Sequence, residues 1–180
     1  MNSFKEILQP KHEELVTMLF YRYLQSGEAT LEDCSKYIYQ MIQIYQALED
    51  TASKFNLLDN LPSLPRYLLA KHNYESLVGE NIKHVILPAT HEYCNYIKES
   101  NDYNCVLAHM YVRYGEDLTG GQITKTKLTQ PCTYLDFDYI NDTLEVLSNK
   151  VSVDVLDEVV MGYNYTIAIY RQLQETKIFV

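Results

Sequence analysis

The sequence predicts an all-α protein, and three observations carry that expectation. Apolar residues recur at three- and four-residue spacings along most of the 180 residues, as amphipathic helices require. Residues that cap or stop helices stand at the ends of those stretches. Strand-type alternation is confined to short runs such as VSVDV, which begins at Val151. With no internal repeat and no low-complexity segment, residues 1–180 read as one domain.

Lys11 to Gln25 forms the first helix, through His12, Leu15, Val16, Leu19 and Tyr23, and Ser26-Gly27 stops it. Pro10 either opens that helix or kinks a longer one beginning near Ser3. Thr30 caps the next helix with Asp33 at its third position. Leu31, Cys34, Tyr37, Ile38, Met41, Ile42, Tyr45 and Leu48 then form one apolar stripe. Asn56 to Pro65 is a loop, Arg66 to Leu77 a helix, and Gly79 to Lys83 a break. Pro88 starts a helix that runs to Ser100, and Asn101-Asp102 caps another from Tyr103 to about Leu128. Pro131 to Asp138 is irregular, and a short helix follows from Tyr139 to Ser148. Ser152 caps a last helix to Thr176, with Leu156, Val159, Val160, Tyr163, Ile167, Tyr170 and Leu173 inward.

Composition excludes several classes of function. Lys plus Arg number 15 and Asp plus Glu 24, a formal charge of −9, and no basic cluster offers a phosphate backbone a surface; nucleic acid is not an expected partner. Hydrophobic residues make up 47%, enough to bury a core, yet no apolar run is long enough to span a bilayer. Cys34, Cys94, Cys105 and Cys132 are widely spaced without a CxxC pair, and the N-terminus has no apolar leader. These features point to a reduced, cytoplasmic protein without a cysteine zinc site. The 17 Tyr and no Trp imply either boundary packing or a pocket lined by hydroxyls.

Two features carry potential chemistry. His12 sits on the apolar side of the first helix, where a lone histidine is ordinarily a packed core residue rather than a ligand. The run AHMYVRYGEDLTGGQ, residues 108–122, places Arg113 and Asp117 four apart on one helix face, the spacing of an ordinary surface ion pair. The same run holds Gly115, Gly120 and Gly121. Each glycine inside a helix costs about 1 kcal/mol relative to alanine, so three so close together call for a kink or for close approach of a ligand to backbone.

At these residues the sequence resembles the heme oxygenases. RYGEDLTGGQ is similar to that family's distal-helix signature, with Arg113, Tyr114, Asp117, Leu118, Thr119, Gly120, Gly121 and Gln122 in register. FKEILQPKHEEL resembles the proximal helix, with His12 at the axial-ligand position and Lys5 seven residues before it. IYQALED resembles the motif that contributes Tyr45 and Glu49. The resemblance implies an all-helical bundle with heme held between a proximal helix and a kinked distal helix. It implies that His12 binds the iron and that Asp117, with Arg113 and Tyr45, orders a water network delivering protons for O2-dependent opening of the ring. Heme would be cofactor and substrate at once, and biliverdin, CO and ferrous iron the products. Lys5, Tyr111, Thr119, Gly120, Gly121, Tyr163 and Tyr170 would contact it. Electrons would come from an external reductase or ferredoxin, because the chain has no flavin or dinucleotide fingerprint.

The chain departs from the family pattern in places. Glu116 stands where the family has glycine, with Gly115 one position early. The basic residues that pair with heme propionates have no counterpart: Tyr134 and Asp138 fall near those positions, leaving Lys125 and Lys127 as substitutes. Thr166 replaces an amide on the last helix. Two other readings follow: a heme-binding carrier or sensor of the same fold without turnover, and a non-heme di-iron oxidase using Glu49, His91 and Glu158. A thiamine-degrading relative is disfavoured because no cysteine follows the distal-type run. Of the remaining histidines, His72, His84 and His109 are read as surface or helix-boundary residues, with His109, one turn before Arg113, a candidate exception.

Overall fold

In the computed structural model, residues 4–176 are described, with side chains from Glu6 onward. The described residues form nine α-helices and two short 3-10 turns, and contain no strand. Helix α1 spans Phe4–Thr17 and runs through Pro10, so the longer, proline-containing helix is the one that forms. The single helix expected as far as Gln25 instead divides at Met18, whose backbone is extended, and α2 is Leu19–Ser26. Thr17 favours the break locally: its hydroxyl turns back onto the carbonyls of Glu13 (2.8 Å) and Glu14 (3.0 Å), a bond that competes with helix continuation. Leu15 on one side of the bend and Phe20 and Leu24 on the other are all buried. Gly27 ends α2 in the left-handed conformation, with φ 83°.

Helix α3, Leu31–Ser53, is the centre of the bundle and packs against α4 (Tyr67–Val78), α5 (Pro88–Glu99) and α6 (Tyr103–Leu118). Its cap forms as expected: Thr30 Oγ1 accepts from the Asp33 amide at 3.2 Å, and Tyr23 donates to the Asp33 carboxylate at 2.8 Å. The helix buries more than the expected stripe. Gln40, on another face, is buried because its amide donates to Val85 O (3.0 Å) and accepts from Leu87 N (2.9 Å), which ties down the segment before α5. That exchange satisfies a polar group no apolar pattern announces.

Asp102 caps α6 by accepting from Asn104 N at 2.8 Å. The helix expected to reach Leu128 is broken at Thr119, with φ −119° and ψ −84°, and resumes as α7, Gly120–Lys127. Gln122 compensates the break by donating to Asp117 O (2.9 Å), in the last turn of α6, and joins it to Leu135 O (3.0 Å) in the 3-10 turn Thr133–Leu135. The segment after α7 is fixed by buried Arg66, whose guanidinium donates to Asp136 O (2.7 Å) and Tyr134 O (3.3 Å) and covers the Phe137 ring at 3.9 Å. Helix α8 is Ile140–Lys150 and α9 is Leu156–Glu175. Ser152 does not cap α9; a 3-10 turn, Val153–Val155, intervenes. Helices α1, α2 and α6 all pack on α9. No helix is long and apolar enough to cross a membrane among the described residues.

Candidate active site

A cavity of about 480 Å³ opens among α1, α2, α6, α7 and α9. Each wall follows from a local feature of the chain. The α1 wall carries His12 with Leu8 and Leu15, and His12 itself is exposed although it borders the cavity. The broken α6–α7 run brings Thr119, Gly120 and Gly121 to the lining, and α9 contributes Tyr163 and Tyr170. Tyr111, half-buried, faces the same space. Seven positions expected to meet a ligand or metal, His12, Tyr111, Thr119, Gly120, Gly121, Tyr163 and Tyr170, therefore converge. Lys5 is the exception: its side chain lies outside the described residues.

The polar end of the cavity is built by α6. Arg113 and Asp117 pair as their spacing predicts, with Nη2 donating to Oδ1 at 2.7 Å and Nε donating to Oδ2 at 3.3 Å. This is no surface bridge, since both side chains are almost fully buried. Tyr45, 0% exposed and one layer behind the lining, donates to Asp117 Oδ2 at 2.7 Å. Burial works against the Arg113 charge, but Asp117 and Glu116 outweigh it and hold the guanidinium well above its ordinary value. Burial and the Asp117 charge push the Tyr45 hydroxyl well above its usual range, so it stays a donor.

Glu116 also faces this space, with its side chain 14% exposed. Its Oε2 lies 3.0 Å from Arg113 Nη2, yet neither carboxylate oxygen receives a hydrogen bond from the protein. The contact is one of charge without N–H alignment, because Arg113 directs its N–H groups at Asp117. Burial first, then the Asp117 charge, raise Glu116 to about 7, with Arg113 pulling the other way. At neighbouring Gly115, an added Cβ meets nothing within 4 Å. Gly115→Ala is therefore expected to stabilise the protein by up to about 1 kcal/mol through helix propensity alone, a rise readable in a thermal melt.

Three aromatic residues of the cavity were not singled out as ligand contacts: Tyr21, Tyr37 and Tyr134. Tyr37 lies on the α3 stripe, where periodicity marks it as core, and its hydroxyl sits 3.3 Å from that of Tyr170. Tyr134 belongs to the irregular segment, which is brought in by contacts distant in sequence from Arg66, Asn73 and Gln122. The lysines suggested as substitutes lie elsewhere: Lys125 pairs with Asp136 and Lys127 is exposed. Arg113 is the one permanently cationic side chain among the described lining residues, and it is fully engaged.

The di-iron constellation does not assemble. Glu49 accepts from the amides of Arg66 (2.5 Å) and Tyr67 (2.8 Å) and from the Tyr114 hydroxyl (3.1 Å), so it serves the start of α4. His91 is exposed beside Asn95. Glu158 instead sits with Cys105 and His109 behind α6. His109 is a buried core residue, 0% exposed, rather than a boundary one. Its Nδ1 shares a hydrogen bond with Tyr93 Oη (3.1 Å) and its Nε2 one with Glu158 (3.3 Å). Burial pushes His109 down to about 4 against the pull of Glu158, which keeps the ring neutral.

The family model described as "Heme oxygenase" matches residues 2–144. A heme oxygenase of Guillardia theta is 25% identical over 96% of this chain and 85% of its own length. The fold is similar to that of heme oxygenase-1 from the cyanobacterium Synechocystis, solved in complex with heme, with a TM-score of 0.84, 18% identity and coverage of 96% of this chain and 91% of that one. Heme oxygenase from Leptospira interrogans superposes with a TM-score of 0.80 at 20% identity, over 94% of this chain and 97% of the other. The distal-type run, the histidine on α1 and the cavity between them are thus found in a chain that belongs to the heme oxygenase family.

Proposed function

We propose that the chain, acting as a single domain, is a working heme oxygenase: it converts heme and O2 to biliverdin, CO and ferrous iron with electrons from an external reductase or ferredoxin. One observation carries this reading. A histidine on α1 and a buried, hydrogen-bonded Tyr45–Arg113–Asp117 cluster on α3 and α6 serve the same apolar, glycine-bordered cavity. The residues present fit heme. The cavity volume lies within the usual range for a cofactor site. An added Cβ at Gly121 would meet Leu135 Cδ2 at 3.2 Å, so glycine lets α7 pack closely against Leu135 at the cavity edge.

When bound, heme supplies the ring to be opened and the iron that activates O2. His12, which borders the cavity from α1, would hold the iron through a ring nitrogen. Tyr111, Tyr163 and Tyr170 offer ring faces and edges, and Thr119 to Gly121 let backbone approach closely. Tyr45 and Arg113 fix the Asp117 carboxylate in one orientation, in which it would hold a water in the cavity. Lys5 is the candidate for propionate anchoring. The four buried free cysteines suit a reducing compartment such as the cytoplasm.

Adding hemin is expected to give a Soret band, and a reducing system with O2 to replace it by the biliverdin spectrum. His12→Ala is expected to abolish the His-ligated spectra. Hemin that binds and is recovered unchanged under reductant and O2 defeats the turnover reading and favours a carrier or sensor, the alternative that Glu116 and the absence of a free cation among the described lining residues recommend.

A further inference from the structure

Two carboxylates share one guanidinium at the polar end of the cavity, and they are not equivalent. Asp117 is held by three donors: Tyr45 and Arg113 donate to one oxygen and Arg113 to the other, which leaves the second oxygen a free acceptor site. Glu116 has the same cation 3.0 Å away and no protein donor on either oxygen. Hydrogen bonds donated to a carboxylate favour its charged form. One that is buried without donors favours its neutral form. The two environments thus divide two roles between neighbouring acids, as when titratable groups are driven apart by their surroundings.

We propose that Glu116 is the residue of this cavity that carries a transferable proton, and that Asp117 positions hydrogen-bonded groups without itself releasing one. In this arrangement the Glu116 carboxylic acid gives its O–H proton to a basic atom of the bound ligand or of a water beside it. The carboxylate that remains is stabilised by Arg113. Reprotonation comes from solvent by way of the cavity, which is open beside Gly115, where an added Cβ would touch nothing.

The groups facing Glu116 support this division. On its own helix, Arg113 lowers its proton affinity and Asp117 raises it, with burial the largest influence, and the balance stands at about 7. Around the cavity, Tyr21 on α2, Tyr37 on α3 and Tyr163 and Tyr170 on α9 all feel the Glu116 charge and are all raised above the ordinary phenol value, chiefly by burial. None of these phenols is acidic enough to compete. His12 borders the cavity from α1.

The inference rests on the heme reading only for the identity of the acceptor, and the test separates the two. In the heme-free protein labelled with 13C at Glu and Asp carboxyls, one resonance is expected to titrate near neutral pH, to vanish in Glu116→Gln, and to move to lower pH in Asp117→Asn, where the neighbouring negative charge is removed. A Glu116 resonance that titrates in the ordinary carboxylate range overturns the proposal, as does loss of the neutral titration in Asp117→Asn alone. In the hemin-loaded ferrous protein with CO as probe, the C–O stretch is expected to shift with the same midpoint in the wild type and to be pH-independent in Glu116→Gln. A pH-independent stretch in the wild type, with a Soret band present, shows that Glu116 does not reach the ligand and overturns the proposal. Absence of any Soret band with the neutral carboxyl titration intact defeats the heme reading and upholds Glu116 as the proton carrier.

Discussion

Arg113→Met is expected to destabilise the protein by about 3–5 kcal/mol at pH 8, the range found when one partner of a buried ion pair is removed. The side chain is almost fully buried and neutralises two acids at once, Asp117 at 2.7 Å and Glu116 at 3.0 Å. Without it, two neighbouring carboxylates are left in a low-dielectric site with only the Tyr45 hydroxyl as donor. Methionine keeps much of the volume, so the loss reports charge rather than a void. The pH dependence has a definite sign. Glu116 already binds its proton at about 7, and removal of the cation raises it further above its unfolded value. A group with a raised folded pKa contributes stability below its unfolded pKa and loses it as pH rises. The Arg113→Met penalty is therefore largest at pH 8 and shrinks toward pH 4. Urea melts at the two pH values check it, and a penalty that does not change with pH would show that packing, not charge, is what Arg113 provides. Adding Glu116→Gln is expected to recover part of the loss at pH 8.

Gly27→Ala is expected to cost about 2–4 kcal/mol, a drop in Tm of roughly 5–15 °C for a chain of this size. Two penalties combine. Gly27 has φ 83°, and a side chain in the left-handed region costs about 1–2 kcal/mol. Its Cβ would also meet Lys127 O at 2.8 Å, a backbone atom at the end of α7 that cannot rotate away. The consequence reaches the cavity, because α2 holds α7 through Gln25, which donates to Thr124 Oγ1 (2.5 Å) and Gly120 O (3.2 Å). Hemin affinity is expected to fall along with Tm. A melt unchanged from wild type would show that α2 and α7 can separate without loss.

These two residues also mark what a reader of the sequence can and cannot see. The Arg113–Asp117 pair is legible because four residues on one helix face lie one turn apart. Its burial is not, since that depends on α3 delivering Tyr45 from 72 residues away. Gly27 reads plainly as a helix stop, but its nearest neighbour is the carbonyl of Lys127, which no local pattern reveals. The same holds for Glu49. The IYQALED run marks it for the site, and the fold gives it the amides that open α4.

By itself, the sequence determined the all-helical class, the caps at Thr30 and Asp102, the start at Pro88 and seven of the residues that border the cavity. Capping and amphipathic periodicity are interactions among residues a few positions apart, and they leave their record in the order of the chain. Only the tertiary structure decided where the long helices break, at Met18 and Thr119, and that His109 is buried. Only the fold left Glu116 without a protein donor while Asp117 has three. Those outcomes depend on partners distant in sequence, on which side chain reaches a carbonyl or a cation first, and on how much water packing removes from each acid.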